Sequence, residues 1–319
     1  MAANLPSFSV VIPLYNKRDH IVRTLASVLD QTLPPTEVIV VDDGSDDGGA
    51  DRIAAIGDPR INLIRQANAG EGAARNAGAA RACGDWIALI DADDGWRRDH
   101  LATLAEVIAA YPDVDLIGAA SLATYLGDLD QMLQQPSGAG SIARLDFFRD
   151  HDGSVFNASS VAIRRTAFAA TSGFGSYRVG ADTEFWIRFA LDHKMAVSTR
   201  QSSIYLRGNG GVMERVACDA RGRDRPLPES PVFATLERAL ASPRYRELHA
   251  PIRAYADRTR LNYARGRLYI GRGVEARAIL RDVHQPARVE RLVYQLLSYL
   301  PAPALRAGSR GFSTVKRLL

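Results

Sequence analysis

The chain reads as an α/β fold, a mainly parallel sheet flanked by helices, with a C-terminal helical module. Three observations predict it. Short β-branched runs alternate with segments whose apolar residues recur at helical spacing, the pattern of βαβ units. Several of the runs are apolar throughout, like strands covered on both faces. After about residue 215 the strand-like runs stop and arginine accumulates.

"FSVVIPL" (8–14) is the first buried strand. Ile21, Leu25, Val28 and Leu29 then repeat at helical spacing. "EVIVVDDGSDDGG" (37–49) is a second strand running into an acidic, Gly-rich turn, and "INLIR" (61–65) is a third. "GEGAARNAGAARACG" (70–84) is an Ala-rich helix whose small residues allow close backbone packing. "DWIALID" (85–91) is the fourth strand, Leu101, Leu104, Val107 and Ile108 mark the next helix, and "VDLIGAAS" (114–121) is another strand. Residues 127–153 are weakly periodic and read as a connection, and strand character resumes over 154–165. "GADTEFWIRFALDHK" (180–194) predicts a mostly buried helix starting near Asp182, with Glu184 and Arg188 paired one turn apart. "DARGRDRPLPESP" (219–231) is a linker by composition, and residues 263–283 predict a helical hairpin turning at Gly271 and Gly273. Two domains follow, 1–218 and 219–319.

Composition narrows the function. The 319 residues are 46% hydrophobic and 24% charged, ordinary for a globular chain with a sizeable core. Residues 221–319 carry 20 Lys and Arg against 8 Asp and Glu; of the totals of 40 and 36, residues 1–220 keep 20 and 28. An acidic module thus precedes a basic one. Cys83 and Cys218, the two cysteines, make neither a disulfide framework nor a zinc site and fit a reducing compartment. The N-terminus lacks a basic n-region and no apolar run nears the roughly 20 residues of a membrane helix, so a cytoplasmic protein is expected.

The chemistry concentrates at strand ends, where parallel α/β sheets bind ligands. Tyr15 and Asn16, Asp42 and Asp43, and Asp91 and Asp93 each follow a strand. In "DWIALIDADDGW" (85–96) Asp91 and Asp93, two residues apart, leave the strand on one side and can share a target. Hard oxygen ligands suit Mg²⁺ or Mn²⁺, which take one or two carboxylates plus substrate phosphates. The plain alternative is a solvated acidic loop with a helix cap at Asp94 or Asp99. The glycines of "NAGEGAARNAG" (68–78) do not complete a dinucleotide fingerprint and read as helix packing. Trp86 and Trp96 read as packing residues, and His100, His151, His193, His249 and His284 receive no catalytic role.

Five motifs in order, "VVIPLYN" (10–16), "VVDDGSDD" (40–47), "NAGEGAARNAG" (68–78), "DWIALIDADD" (85–94) and "GADTEFWIR" (180–188), resemble the family 2 glycosyltransferases, inverting enzymes of the GT-A fold. The resemblance covers about residues 6–210 and implies roles at matching positions. Pro13 and Tyr15 would line a nucleotide base pocket, and Asp42 or Asp43 would accept a hydrogen bond from a uracil ring. Arg75 would help hold the nucleotide, with Asn68 and Gly70 shaping the loop beside it. Asp91 would contact ribose, Asp93 with Asp94 nearby would bind Mn²⁺ or Mg²⁺, and Asp182 would be the catalytic base. The expected partners are a UDP-linked sugar donor and a saccharide or lipid-linked acceptor, not nucleic acid. Two positions depart from the family pattern: Ala181 stands where a glutamate often precedes the base, and Asn209 where a histidine is common, with Arg207 nearby to share its charge. Two other functions compete, a phosphohydrolase using Asp91 and Asp93 and a nucleotide-sugar-binding protein without activity.

The basic C-terminal module reads first as a solvated helical face, since no nucleic-acid motif accompanies its arginines. Residues 287–319 also combine Leu292, Val293, Leu296, Leu297 and Leu300 with flanking arginines, a pattern that suits peripheral contact with an anionic membrane surface.

Overall fold

The structure is a computed structural model that describes residues 5–151, 156–177, 179–208, 230–284, 288–301 and 304. It divides into two compact units, Met1–Gly211 and Val212–Leu319. The sequence-based boundary at 218/219 lies within residues 209–229, as do Asn209, Cys218 and most of the composition-based linker, all outside the described residues.

The first unit is built on one sheet. β1 (Phe8–Leu14), β2 (Glu37–Asp42), β3 (Ile61–Arg65) and β4 (Trp86–Leu89) run parallel in the order β3-β2-β1-β4. All seven residues of β1 are buried, so this strand is covered on both faces, as its unbroken apolar run requires. α1 (Arg18–Leu29) buries Ile21, Leu25 and Val28 in the same core as Val10, Ile12, Val38 and Val40. α3 (Glu71–Ala79) packs more closely still. A Cβ added to Gly78 would lie 2.4 Å from Val11 Cγ1, which is why this helix is made of small residues.

Beyond β4 the sheet changes sense. β6 (Leu116–Tyr125), β8 (Val161–Arg164) and β9 (Met195–Arg207) continue it in the order β4-β8-β6-β9, antiparallel on both sides of β8 and parallel between β6 and β9. β5 (Gly95–Trp96) and β7 (Ile142–Leu145) pair antiparallel with β9. The segment 127–153, expected as a connection, holds most of α5 (Leu126–Gln134) together with β7 and α6 (Phe147–Asp150). Leu129 and Leu133 of α5 pack on Ile204 and Leu206 of β9, and this tertiary contact makes a helix of a locally weak pattern. Of 154–165, the described part folds as a 3₁₀ turn (Ala158–Ser160) followed by β8. α2 (Gly49–Ala54), α4 (His100–Ala110), α7 (Arg165–Ala169) and α8 (Ala181–Ala190) complete the layers. Trp86 and Trp96 are both buried, and Glu184 and Arg188 form the expected pair at 3.2 Å. His100 is buried against Trp96 and hydrogen-bonds Ser202 at 2.8 Å; burial pushes its pKa down to about 3, so it is a neutral core residue.

The second unit is helical: Pro231–Ala241, His249–Tyr269, Gly273–Arg281 and Arg288–Leu297. Its core joins Leu261, Ala264 and Leu268 to Ala276, Leu280 and Tyr294, and the expected hairpin turns at Gly271. Leu292 and Leu296 lie on the exposed side of the last helix. No helix among the described residues is long and apolar enough to cross a membrane.

The close approach of α3 to β1 gives the first prediction. Gly78→Ala forces Val11, fully buried, off its position. Thermal unfolding should show a loss of about 1–3 kcal/mol, the usual cost of overpacking a filled core.

Candidate functional site

The loops that follow β1, β2, β3 and β4 all leave the same end of the parallel strands, and the polar motifs lie in them. Asp43 ties two of these loops together. Its Oδ1 accepts from Gln66 Nε2 at 2.7 Å and Ala69 N at 2.9 Å, and its Oδ2 accepts from Gly70 N at 2.8 Å. Gly70 has φ 93° and ψ 161°, a conformation that a side chain would strain, and so can deliver its N–H while starting α3. Asp42 accepts from Ser45 N through Oδ1 at 2.9 Å. Asn16, at φ 51°, joins the loops after β1 and β2: its N–H donates to Ser45 Oγ and its Oδ1 accepts from Asp46 N, each at 3.0 Å. Pro13 is buried within β1, whereas Tyr15 and Asn68 are exposed.

Arg75 lies at the centre. Its side chain is only 3% exposed, yet it carries a full charge. Nη2 donates to Asp91 Oδ1 at 2.7 Å and pairs with Glu71 one turn back on α3, and the guanidinium lies 5.5 Å from the Phe174 ring centroid. Burial alone would lower its pKa, but Glu71, Asp91 and Asp182 together outweigh burial and hold it charged. Asn76 extends this anchoring: Nδ2 donates to Phe174 O at 2.9 Å, and Oδ1 accepts from Phe174 N at 2.8 Å. The chain before α8 is thereby fixed to α3. Asp182, in the first turn of α8, receives Thr183 N at 2.7 Å and lies close enough for its charge to act on both Glu71 and Arg75. Residues 91 apart in sequence, Asp91 and Asp182, therefore face one guanidinium.

Glu71 was not among the residues read from the sequence, although its spacing from Arg75 was a legible signal. Arg75 draws its carboxyl toward the charged form, but burial and the charges of Asp91 and Asp182 push it up to about 7. The side chain keeps 49% of its surface open while its carboxyl end is crowded by protein, so solvent screening limits the energy involved.

The acids after β4 divide. Asp93 Oδ2 lies 2.5 Å from Lys17 Nζ, with both side chains 14% exposed. This contact is an ion pair by distance; no well-angled hydrogen bond of Nζ is found among the described residues. His20 of α1 is beside it: burial lowers its pKa, Asp93 opposes that, and Lys17 reinforces it. Asp94 turns the other way and is 2% exposed. It accepts from Ser159 Oγ at 2.5 Å and from Leu206 N at 2.9 Å. Burial first, then the charges of Asp91 and Asp93, raise its pKa well above the ordinary value, against the opposing pull of the Ser159 and Leu206 hydrogen bonds. Asp94, read from the sequence with Asp93 as a metal ligand, is thus engaged inside the wall of the site. A turn accounts for this: β4 ends at Leu89, and Asp94 N donates to Asp91 O at 3.1 Å, so the chain reverses before it reaches Asp94. Arg207, next to Leu206 at the end of β9, is exposed.

Could these residues hold a divalent ion? Among the described residues no group of three His, Cys, Asp or Glu side chains could do so. The available donors are the hard oxygens of Asp93 and Asp91. That set fits an ion completed by phosphate oxygens rather than a protein-only cage.

The sheet order and the strand-end site place the chain among GT-A glycosyltransferase folds. A mannosyltransferase, PcManGT of Pyrobaculum calidifontis, solved with GDP-Man and Mn²⁺, superposes with a TM-score of 0.58 at 17% identity, covering 96% of this chain and 88% of that one. TarS 1-349 of S. aureus with UDP-GlcNAc gives 0.53 at 19% identity, over 98% and 92%. The chain belongs to Glycosyl transferase family 2, whose family model matches residues 9–171. Succinoglycan biosynthesis protein ExoO of Rhizobium meliloti is 46% identical over 103 residues, 32% of this chain and 30% of that protein. ExoW of the same organism is 44% identical over 103 residues, 30% of this chain and 32% of that protein. The chain thus spans about a third of the length of the curated relatives it matches.

Two predictions test the wall and the centre. Asp94→Leu leaves the Leu206 N–H and the Ser159 hydroxyl buried without an acceptor, a loss of about 3 kcal/mol in urea unfolding, whereas Asp94→Asn costs under about 1 kcal/mol. For Glu71 the folded chain holds its proton to about 7, against an ordinary 4.5. The stability this group contributes is complete below 4.5 and lost as the pH rises through about 7. Glu71→Gln removes that slope. Urea midpoints near pH 4 and near pH 8 should differ between wild type and variant by a screened amount on the order of 1 kcal/mol.

Proposed function

We propose that this chain is an inverting glycosyltransferase that moves a sugar from a nucleotide-diphosphate donor, UDP-linked, to a hydroxyl of a polysaccharide or glycolipid acceptor. The observation that carries the reading is the convergence on Arg75: Asp91 by hydrogen bond, Glu71 by ion pair and Asp182 by its field. Family membership and the nucleotide sugars bound by the two structural neighbours support it. In this reading residues 1–218 are the catalytic domain and 219–319 a basic accessory module.

Each residue then has a task. Pro13 and Tyr15 line the base pocket, with the exposed Tyr15 ring offering a stacking face. Asp43 spends both oxygens on the loop at 66–70, so Asp42 is the acid that meets the base, while Asn68 and Gly70 shape that loop. Asp91, oriented by Arg75, accepts a ribose hydroxyl. Asp93 would hold Mn²⁺ or Mg²⁺, with Asp91 as the neighbouring oxygen donor. The ion, when bound, supplies positive charge against the diphosphate as it departs. Asp182 takes the proton of the acceptor hydroxyl as that oxygen attacks the anomeric carbon from the side opposite the leaving group. One displacement with one base inverts the centre. Ala181 is a buried residue of α8, so acceptor contacts come from elsewhere on the rim. A phosphohydrolase using Asp91 and Asp93 would usually carry that pair after its first strand, whereas here the pair follows β4.

Asp182→Asn should lower sugar transfer by at least about 100-fold while UDP binding is retained. Asp93→Ala should abolish the gain in UDP affinity that Mn²⁺ brings to the wild type. Transfer assays with a panel of nucleotide sugars, run beside calorimetric UDP titrations, check both. Normal turnover by Asp182→Asn would remove the proposed base, and nucleotide binding without any transfer would favour a binding protein.

A further inference from the structure

We infer that Lys17 is a built-in cation of the donor site, holding Asp93 until nucleotide arrives and then serving the diphosphate, so that metal and nucleotide bind cooperatively. This rests on the reading of Asp93 as the metal-binding carboxylate.

The backbone of Lys17 is fixed. It caps α1 directly after β1, and its carbonyl accepts from His20 N and Ile21 N, both at 3.0 Å. Its side chain reaches Asp93 Oδ2 at 2.5 Å. Nζ is buried, and among the described residues no acceptor meets it at hydrogen-bonding angles. An ammonium has three donors, and among the described residues one carboxylate faces them. The buried charge thus suits further oxygen partners of the kind a diphosphate carries.

The same pair handicaps a dication that comes alone. Asp93 already has a cation on it, and no cluster of three ligating side chains among the described residues completes a shell. A nucleotide diphosphate changes both conditions. It brings oxygen ligands for the ion and acceptors for Lys17, whose four-carbon stem lets the ammonium swing while its Cα stays fixed. Each ligand therefore raises the affinity of the other by the same factor.

Calorimetric titration of the full-length protein with Mn²⁺ alone, and with Mn²⁺ in saturating UDP or GDP, tests this in wild type, Lys17→Met, Lys17→Arg and Asp93→Ala. Wild type should bind Mn²⁺ about tenfold or more tightly with nucleotide. Lys17→Met should bind Mn²⁺ alone several-fold more tightly than wild type and show a smaller coupling, keeping only the part that comes from phosphate oxygens on the ion. Lys17→Arg should retain the coupling, and matching melting temperatures show that the variants are folded. If Lys17→Met matches wild type with and without nucleotide while Asp93→Ala binds no Mn²⁺, the role of Lys17 is overturned and the metal reading stands. If Asp93→Ala binds Mn²⁺ like wild type, or wild type binds none under either condition, the metal reading fails and this inference with it.

Discussion

The site depends on one buried charge. A guanidinium 3% exposed would cost several kcal/mol without partners, so Arg75 can be there only if carboxylates surround it. The converse holds as well: Glu71, Asp91 and Asp182 could not approach each other without it. The mutual requirement fixes three elements to one point: α3, which carries Arg75, the end of β4, which carries Asp91, and the start of α8, which carries Asp182. Arginine suits this task better than lysine, because one Nη2 donates to two carboxylates while the planar guanidinium lies near an aromatic ring.

A second constraint sets the wall behind that point. Ser159 accepts from Asp91 N at 3.0 Å and donates to Asp94, while its carbonyl accepts from Trp96 Nε1 at 2.6 Å and Ser203 Oγ at 2.9 Å. One residue of a 3₁₀ turn thus locks β4, β5 and β9 together behind the acids. Asp94, buried and inward, belongs to this lock; Asp91 and Asp93 belong to the cleft. The same four-residue stretch supplies structure on one side and chemistry on the other.

Much of this was legible in the sequence, for identifiable reasons. β1 to β4 are short apolar runs broken by helical periodicity, and that pattern is local. The positions of Asp42, Asp91 and Asp182 followed from motif order. The antiparallel half was less legible, because β9 mixes "STRQSS" into a strand, and pairing with β6, β5 and β7 decides its state. α5 needed Ile204 and Leu206 to become a helix. Lys17 and His20 gave no signal, since a cation after a strand is ordinary until the acid it meets, 76 residues on, is placed beside it. The inward turn of Asp94 was not legible, because it depends on the turn closed by Asp94 N and Asp91 O and on Ser159 and Leu206, which are distant in sequence.

Charge balance connects the centre, the wall and the proposed chemistry. In the cleft Glu71, Asp91, Asp93 and Asp182 face Arg75 and Lys17, a formal charge of −2 with these four carboxyls ionised and the inward Asp94 left out of the count. A diphosphate donor is itself anionic, so on the proposed reading its entry worsens an existing excess. Two processes relieve it. A dication entering with the donor cancels the excess where the leaving group develops charge. A proton on Glu71, whose carboxyl titrates near 7, relieves half of it within the protein. The two compete in sign, because each positive charge added lowers the site's demand for the other. A site of this composition therefore couples metal affinity, nucleotide affinity and proton uptake through one cluster, and the coupling runs through Arg75, since it touches Glu71 and Asp91 and feels Asp182.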